Sequence, residues 1–531
     1  MNKQKKKSLN HPRNNEITIL PIVIIVISLV IFLATNYYKK TFAGQKFEAL
    51  LYNLNAGIKV ANLEIIKKGI LASIIPFIIL LVIFLNPIFT KSKNVLKLHI
   101  QSKKKSKEFR LYPLKNNFKT YIIYSLTIFI IVILTSLSRI GAFEYWHSQS
   151  TKSTIFEEYY VPSNKVKLTF PENKRNLVFI FMESMEASLF TESNGGGYPY
   201  SLIPELEKLA LENTNFSDSN KLGGAMQVQN TGWTVSGMVA QTSGIPLKLN
   251  IDGNSYNGYK FLPGVYSLGD ILEKEGYNLE IMMGSDANFG GRKDYFQNHG
   301  HYKIYDLEEA IARGKMNRKD IVWWGFSDDN LFKWSKEEIL DLASQDRPFN
   351  YVLLTADTHF TDGYLSKKAP QKYTQRYENV HAYSSKLVYE FVEWLQQQDF
   401  YKNTTIVLVG DHLGMQTEFY DQNLKPGYER RVYNAFVNPA IPAQNNHNRK
   451  FSTLDIFPTI LASIDVKIEG NRLGLGTNLY SGKKTLIEEL GFDNFNEQIA
   501  NKSDYYNKEI IKDDYKKLLD AETKENAINN Q

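Results

Sequence analysis

The 531-residue chain contains no cysteine. That absence excludes disulfides, thiolate-ligated zinc or iron–sulfur centres and any thiol nucleophile, but it leaves the compartment open, because many secreted bacterial proteins lack disulfides. Charge is missing from three long stretches. Residues 17–35, 69–90 and 121–137 hold no Asp, Glu, Lys or Arg over 19, 22 and 17 positions. A helix crossing about 30 Å of hydrocarbon needs roughly 20 residues, so the sequence predicts three spans, at about 17–35, 69–90 and 119–137. Small residues that would mark a signal-peptide cleavage site do not follow Leu33; the chain runs instead into Asn36-Tyr37-Tyr38-Lys39-Lys40, an interfacial anchor. Internal repeats are also absent.

The charge that is present is divided unevenly. Residues 1–119 carry 21 basic and 4 acidic side chains, net +17, and since the whole chain is +7 the remaining 412 residues carry −10. Positive charge beside membrane spans has anionic lipid as its natural partner, so the basic total does not indicate a nucleic-acid partner. Lys3, Lys5, Lys6, Lys7 and Arg13 precede the first span, and residues 91–119 hold ten basic side chains against Glu108 alone. Both segments are expected to be cytoplasmic. The segment 37–68, with six Lys and two Glu, is placed outside, with an interfacial helix over 47–66. An odd number of spans then puts everything after Leu137 on the extracytoplasmic side.

Beyond a connector at 138–175, whose aromatics with Pro162 and Pro171 suggest an ordered strap, the pattern alternates. Apolar runs at 177–182, 277–283, 349–355 and 404–409 read as strands. Helical spacing recurs at 203–211, 265–275, 337–344, 377–398 and 454–463. This alternation predicts an α/β domain over 176–482, a mostly parallel sheet sandwiched by helices, preceded by an all-α transmembrane region over 1–137 and followed by a charged tail at 483–531 that is helical in pieces and frays over 526–531.

Four clusters carry chemistry. The first strand ends on Glu183, and in open α/β sheets the ligand crevice lies beyond the carboxyl ends of the strands; a solvated strand-end carboxylate is the plain alternative. A second strand ends in Gly410-Asp411-His412, where the glycine allows a sharp turn that sets a carboxylate beside an imidazole, both ligands for a hard or borderline divalent cation. Third, the turn Thr231-Gly232-Trp233 leads into Thr234 and a helical run. A hydroxyl at a helix N-terminus sits in a field that favours an alkoxide and an incoming phosphate, although Thr234 also suits a simple N-cap. Fourth, Thr355-Ala-Asp-Thr-His359 follows a strand, and His359 is either a surface histidine or a group that binds the transferring unit or protonates the leaving oxygen. Arg292, in Phe289-Gly-Gly-Arg292, lies in a glycine-rich loop from which a guanidinium could reach a phosphate. His299 and His301 are read as surface histidines.

Taken together, Glu183 in FIFMESME, the Asn230-Thr-Gly-Trp-Thr234 turn, the histidine of LTADTHF and Val409-Gly-Asp-His412 resemble, in order, the motifs of the alkaline phosphatase/sulfatase superfamily. Within it the chain is similar to the phosphoglycerol transferases, the group that includes lipoteichoic acid synthase, and most to the type that decorates periplasmic glucans. The likeness covers about 140–480, including Asp455-Ile-Phe-Pro-Thr459 and Leu473-Gly-Leu-Gly476. It implies that Glu183, Thr234, Asp411 and His412 bind one divalent metal ion, Mn²⁺ before Mg²⁺ or Zn²⁺. It implies Thr234 as nucleophile, His359 as a catalytic and substrate-binding residue and Arg292 as a substrate-binding one. The implied partners are phosphatidylglycerol, membrane lipid and a glycan acceptor. Gly290 stands where lipoteichoic acid synthase has a tryptophan. The sulfatase CxPSR-like nucleophile motif is absent, and the lack of cysteine sets the chain apart from phosphoethanolamine transferases, which usually carry disulfides.

Overall fold

In the computed structural model of the protein the described residues are 16–42, 63–90, 96–102, 105–112, 117–248 and 261–512, with isolated positions between them. They fall into two compact units, one holding the N-terminal helices and the other running from Tyr145 onward.

The first unit contains α1 (Glu16–Thr41), α2 (Leu63–Phe89) and α3 (Phe118–Arg139), each long and apolar enough to cross a membrane. Ile25, Leu29, Ile128 and Val132 form a buried seam, while Leu71, Ile75 and Ile131 point outward. Hydroxyls in these helices are satisfied locally: Ser28 and Thr127 each donate to the carbonyl four residues back, the arrangement a polar side chain needs where water is absent. Asn117 caps α3 by accepting from the Thr120 N–H at 2.9 Å. Between α2 and α3 the strongly basic segment folds into an antiparallel hairpin, β1 (Leu96–Ser102) with β2 (Lys105–Tyr112). Most of the interfacial helix expected at 47–66 lies outside the described residues.

The second unit is built on a sheet. Among the described residues its strands are β3 (Asn176–Met182), β4 (Gly224–Ala225), β5 (Asn278–Met283), β6 (Lys303–Tyr305), β7 (Phe349–Leu354), β8 (Thr404–Gly410) and β9 (Val432–Val437). Their spatial order is β4-β9-β8-β3-β7-β5-β6. The five from β8 to β6 run parallel, and β9 and β4 complete one edge antiparallel. The strand that carries Glu183 is therefore central, and Leu177 to Met182 are all buried. That is why it reads as a continuous apolar run instead of an alternating one: helices cover both of its faces.

The covering helices are α4 (Pro204–Glu212), α5 (Thr234–Ser243), α6 (Leu268–Lys274), α7 (Arg292–Asn298), α8 (Asp328–Ala343), α9 (Arg376–Gln396) and α10 (Ile456–Ser463). In α9 the buried residues Tyr377, Val380, His381, Ser384, Val388, Phe391, Val392 and Leu395 recur every three or four positions, the stripe that ties an amphipathic helix to a sheet. The helix expected at 337–344 is longer than its apolar run, because Ser327 and the acidic pair Asp328–Asp329 start it a full two turns earlier.

Residues 486–511, read from sequence as part of a charged tail, fold against this unit. After α11 (Leu486–Leu490) and α12 (Phe492–Ala500) a wide helical turn covers Tyr506–Ile511, and Phe495, Ile499, Tyr506 and Ile510 are buried. The Tyr506 hydroxyl donates to the Pro246 carbonyl at 2.8 Å, and the Gly264 N–H to the Ile510 carbonyl at 3.0 Å. The high charge content of the segment masked an apolar stripe three and four residues apart.

Candidate active site

Strand register brings the first residues of the site together. Met182 pairs with Gly410 and Phe181 with Leu354. The residues that follow, Glu183, Asp411 and Thr355, thus emerge side by side at the carboxyl edge of the sheet. Glu183, Asp411 and His412 are buried, and their ligand-type atoms all lie within 4.8 Å of one another. His412 Nε2 is 3.3 Å from Asp411 Oδ2 and 3.5 Å from Glu183 Oε1.

The surroundings hold these groups in one orientation. His412 Nδ1 donates to the Leu413 carbonyl at 2.8 Å, which leaves the lone pair on Nε2. Asp411 Oδ1 accepts from the backbone N–H groups of Ser184 and His412, each at 2.8 Å. Ser184 has φ 56°, a left-handed conformation that turns its N–H toward Asp411, and its hydroxyl donates to Glu183 Oε1 at 2.8 Å. The Glu183 N–H donates to Thr355 Oγ1 at 3.0 Å.

Two atoms at the centre have no hydrogen-bond partner: Asp411 Oδ2 and His412 Nε2. Unsatisfied polar atoms at full burial are rare in native folds and call for an explanation. Burial, and then the charge of Glu183, push the Asp411 carboxyl well above the usual carboxylate range. Burial also acts to raise Glu183, yet the neighbouring His412 and His359 and the Ser184 hydroxyl hold it below its ordinary value. Two carboxylates and an imidazole nitrogen converging on one dry point fit a divalent cation, whose charge would offset the repulsion and whose coordination would use the two unpartnered atoms.

Thr234 completes this corner. It is the first residue of α5, and Trp233 occupies the cap position, so the simple N-cap reading does not describe it. Its hydroxyl donates to Glu183 Oε2 at 3.2 Å. The helix approaches closely because Gly237 has no side chain: a Cβ there would sit 2.1 Å from the Asp411 carbonyl oxygen. Gln241, one turn on, donates to the Gly410 and Asp411 carbonyls at 2.9 and 3.1 Å and so ties α5 to the end of β8.

His359 and Arg292 lie to one side. His359 follows β7 in a tight turn, and its Nδ1 donates to the Phe360 carbonyl at 2.7 Å. Burial lowers its pKa below the usual value; Glu183 opposes this, while His412 and Arg292 add to it. Arg292, expected in a glycine-rich loop, follows that glycine pair directly. It opens α7, is 5% exposed, and directs Nε to the Phe289 carbonyl and Nη2 to Ser285 Oγ and the Asp286 carbonyl. His299 departs from its expected surface position: it is buried, with Nδ1 2.9 Å from Asp270 and Nε2 2.7 Å from the Phe261 carbonyl. His301 is exposed beside Glu273.

Several supporting residues escape sequence reasoning. Glu186 is fully buried and pairs with Arg430, which also lies over the Tyr420 ring; Glu186 Oε1 further accepts from the Gly414 N–H at 3.0 Å. This anchors the loop after His412. Asp328 and Asp357 chelate each other's backbone beside Glu183: Asp328 accepts from the Ala356 and Asp357 N–H groups and Asp357 from the Asp328 N–H. Burial raises the Asp328 carboxyl to about 7. The second glutamate of MESME was a visible signal for Glu186; the rest depends on contacts between distant segments.

The Sulfatase family profile matches residues 175–466, more than half of the chain. Phosphoglycerol transferase I of Xanthomonas campestris pv. campestris is 30% identical over 368 residues, which cover 66% of this chain and 49% of that protein. The Escherichia coli protein of the same name is 32% identical over 340 residues, covering 62% and 41%. The chain thus spans about half or less of the length of these relatives. Among solved structures, a lipoteichoic acid synthase from Listeria monocytogenes aligns at TM-score 0.46 and 18% identity, covering 62% of this chain and 80% of that one. The lipooligosaccharide phosphoethanolamine transferase A of Neisseria meningitidis aligns at 0.48 and 13%, covering 86% and 85%. On the extent of the profile match, the chain belongs to the sulfatase family.

Proposed function

We propose that the protein is a membrane-anchored, metal-dependent phosphoglycerol transferase that takes phosphoglycerol from phosphatidylglycerol and passes it to an extracytoplasmic glycan. The observation that carries this reading is the placing of the Thr234 hydroxyl, at the start of α5, 3.2 Å from a carboxylate of the Glu183–Asp411–His412 cluster. The phosphoglycerol transferase I relatives supply the transferred group. The three apolar helices support a membrane anchor, and the basic residues beside them favour an outward-facing second unit.

Glu183, Thr234, Asp411 and His412 would hold one divalent ion, Mn²⁺ first and Mg²⁺ or Zn²⁺ with the same donor set. When bound, that ion lowers the hydroxyl pKa and offsets charge on the phosphoryl group. Thr234 Oγ1, whose proton is directed at Glu183, attacks the phosphorus of the lipid diester in line. The bond from phosphorus to the diacylglycerol oxygen breaks, and His359 in its imidazolium form, which the lowered pKa makes a ready donor, supplies the proton that oxygen needs. Phosphoglycerol then remains on Thr234. An acceptor hydroxyl attacks the same phosphorus and His359 takes its proton; the bond from phosphorus to Thr234 Oγ1 breaks, and the proton held at Glu183 returns to the threonine hydroxyl. Arg292 faces the phosphate from the other side.

The test is donor choice in vesicles. Release of diacylglycerol from phosphatidylglycerol, with a phosphoglycerol adduct mapped to Thr234 by mass spectrometry, is expected. Preferential use of phosphatidylethanolamine would turn the reading into a phosphoethanolamine transferase, and turnover of p-nitrophenyl esters with no lipid use into a hydrolase. Loss of phosphoglycerol substituents from the glycans of a deletion strain distinguishes a periplasmic glucan acceptor from a polyglycerolphosphate chain.

A further inference from the structure

A guanidinium and four rings run in a continuous line along one side of the crevice. The Arg292 guanidinium lies 5.5 Å from the centroid of Phe289. Phe289 stacks on Trp324 at 6.3 Å with 20° between the planes. Trp324 meets His359 edge to face at 5.3 Å and 69°, and His359 stacks on Phe360 at 4.9 Å. Phe289 and Trp324 therefore join the two residues that the proposed reading assigns to the donor's phosphodiester.

The turn that carries Trp324 is held tightly and unfavourably. Val322 and Gly325 exchange backbone hydrogen bonds at 2.8 and 3.0 Å, and the Phe326 N–H donates to the Gly284 carbonyl at 2.9 Å. Gly325 makes this approach possible, since a Cβ there would lie 1.8 Å from that carbonyl oxygen. The clamp is shared with Arg292, whose Nη2 donates to Ser285 next to Gly284. Trp323 has φ 56°, a conformation a bulky residue rarely adopts, and the indole N–H groups of Trp323 and Trp324 are both shielded without an acceptor. Local strain of this kind persists where the surrounding structure holds a group in place for a ligand.

The loop that carries Arg292 cannot provide an aromatic surface at every position. Gly290 and Gly291 have φ 69° and 73°, which bars a large side chain from both. Phe289 is therefore the ring that this loop contributes, and the 322–325 turn adds Trp324 beside it. Next to a guanidinium, such a ring suits the C–H face of a neutral polyol, whose hydroxyls can stay in water; a cationic headgroup there would meet the charge of Arg292.

We infer that Trp324 is a specificity-determining residue: with Phe289 it forms the apolar wall against which the donor's uncharged polyol headgroup packs while the phosphate lies between Arg292 and His359. The inference rests on the reading of Arg292 and His359 as the phosphodiester's contacts. The full chain, loaded with Mn²⁺ and placed in mixed vesicles of phosphatidylglycerol and phosphatidylethanolamine, tests it by comparing wild type with Trp324→Ala, Trp324→Phe and Phe289→Ala. Trp324→Ala is expected to raise KM for phosphatidylglycerol about tenfold with less than a threefold fall in kcat, because binding common to ground and transition states is lost. The preference over phosphatidylethanolamine should narrow by a similar factor, and Trp324→Phe should restore most of both. Bound Mn²⁺ and the melting temperature, measured on the same samples, report an intact fold. Were Trp324→Ala to lose either, Trp324→Phe and Phe289→Ala would decide the matter, with Phe289→Ala expected to shift KM in the same direction. Unchanged KM and donor ratio in the folded variants overturn the inference and leave the proposed function standing. A wild-type protein that does not consume phosphatidylglycerol overturns both.

Discussion

The two sides of the crevice are built on different principles. The corner formed by Glu183, Asp411, His412 and Thr234 sits within one or two residues of a strand end or a helix start, so its spacing follows from the pairing of Met182 with Gly410 and the packing of α5 on β8. The other group, the wall with Arg292, Trp324 and His359, comes from segments that sheet register does not set: Arg292 starts α7 behind two left-handed glycines, Trp324 follows the left-handed Trp323, and His359 lies five residues beyond the end of β7. Sheet register leaves the corner almost no freedom, as a one-residue slip would turn Glu183 away from Asp411. The wall depends on clamps between loops and is the part of such a scaffold in which specificity can change without disturbing the chemistry.

The sharpest way to break this division is Thr234→Ala. Diacylglycerol release is expected to fall on the order of 10³-fold or more, since loss of a nucleophile is not replaced by its neighbours. The fold should survive, because the hydroxyl's contact with Glu183 is a long hydrogen bond of 3.2 Å. A rate within tenfold of wild type would remove the corner from the chemistry.

Next in size is Glu186→Ala, measured by urea unfolding. It leaves the largely buried Arg430 guanidinium without its carboxylate and frees the Gly414 N–H. Breaking a buried pair by deleting one partner costs about 3 kcal/mol. A change below ~1 kcal/mol would mean that the loop after His412 is held by something else. Gly237→Ala probes the same corner from the helix side. The added methyl would meet the Asp411 carbonyl oxygen at 2.1 Å, so α5 must shift. Destabilisation of about 1–3 kcal/mol is expected, together with weaker Mn²⁺ binding by calorimetry; unchanged binding would show that the corner tolerates movement of Thr234.

The smallest effect concerns the backing of the wall. Tyr377 donates to the Thr358 carbonyl at 2.7 Å, and one turn along α9 the imidazole of His381 is fully buried with both nitrogens unpartnered. Burial lowers its pKa from 6.5 to about 3. The folded state thus resists a proton that the unfolded chain accepts, so this contribution is complete above about pH 6.5 and is lost as the pH falls toward 3. Stability should drop by roughly 1 kcal/mol between pH 6 and pH 5 from this group, and His381→Phe should flatten that slope. An unaltered slope would assign the acid sensitivity to other groups.

Much of the corner was legible in the sequence because strand-end residues inherit their position from a pattern that is itself visible. Continuous apolar runs marked β3 and β8, and the residues just after them had to lie at the carboxyl edge. Thr234 was legible as a helix start, though its partner was not, since the hydrogen bond to Glu183 spans 51 positions. The wall was less legible. Arg292 looked like a loop residue because two glycines precede it, yet those glycines make the turn that starts α7. His299 looked exposed because its partners, Asp270 and Phe261, lie about 30 and 40 positions away.

By itself the sequence determined the three apolar helices, the alternating α/β pattern and the residue types gathered at two strand ends, because hydrophobic period and charge are local properties of a chain. Tertiary structure alone decided that Glu183, Asp411 and His412 meet around one dry point, that residues 486–511 belong to the globular unit, and that Trp324 stands between Arg292 and His359. Each of these depends on contacts between segments far apart in the chain, and such contacts leave no periodic trace in the order of residues.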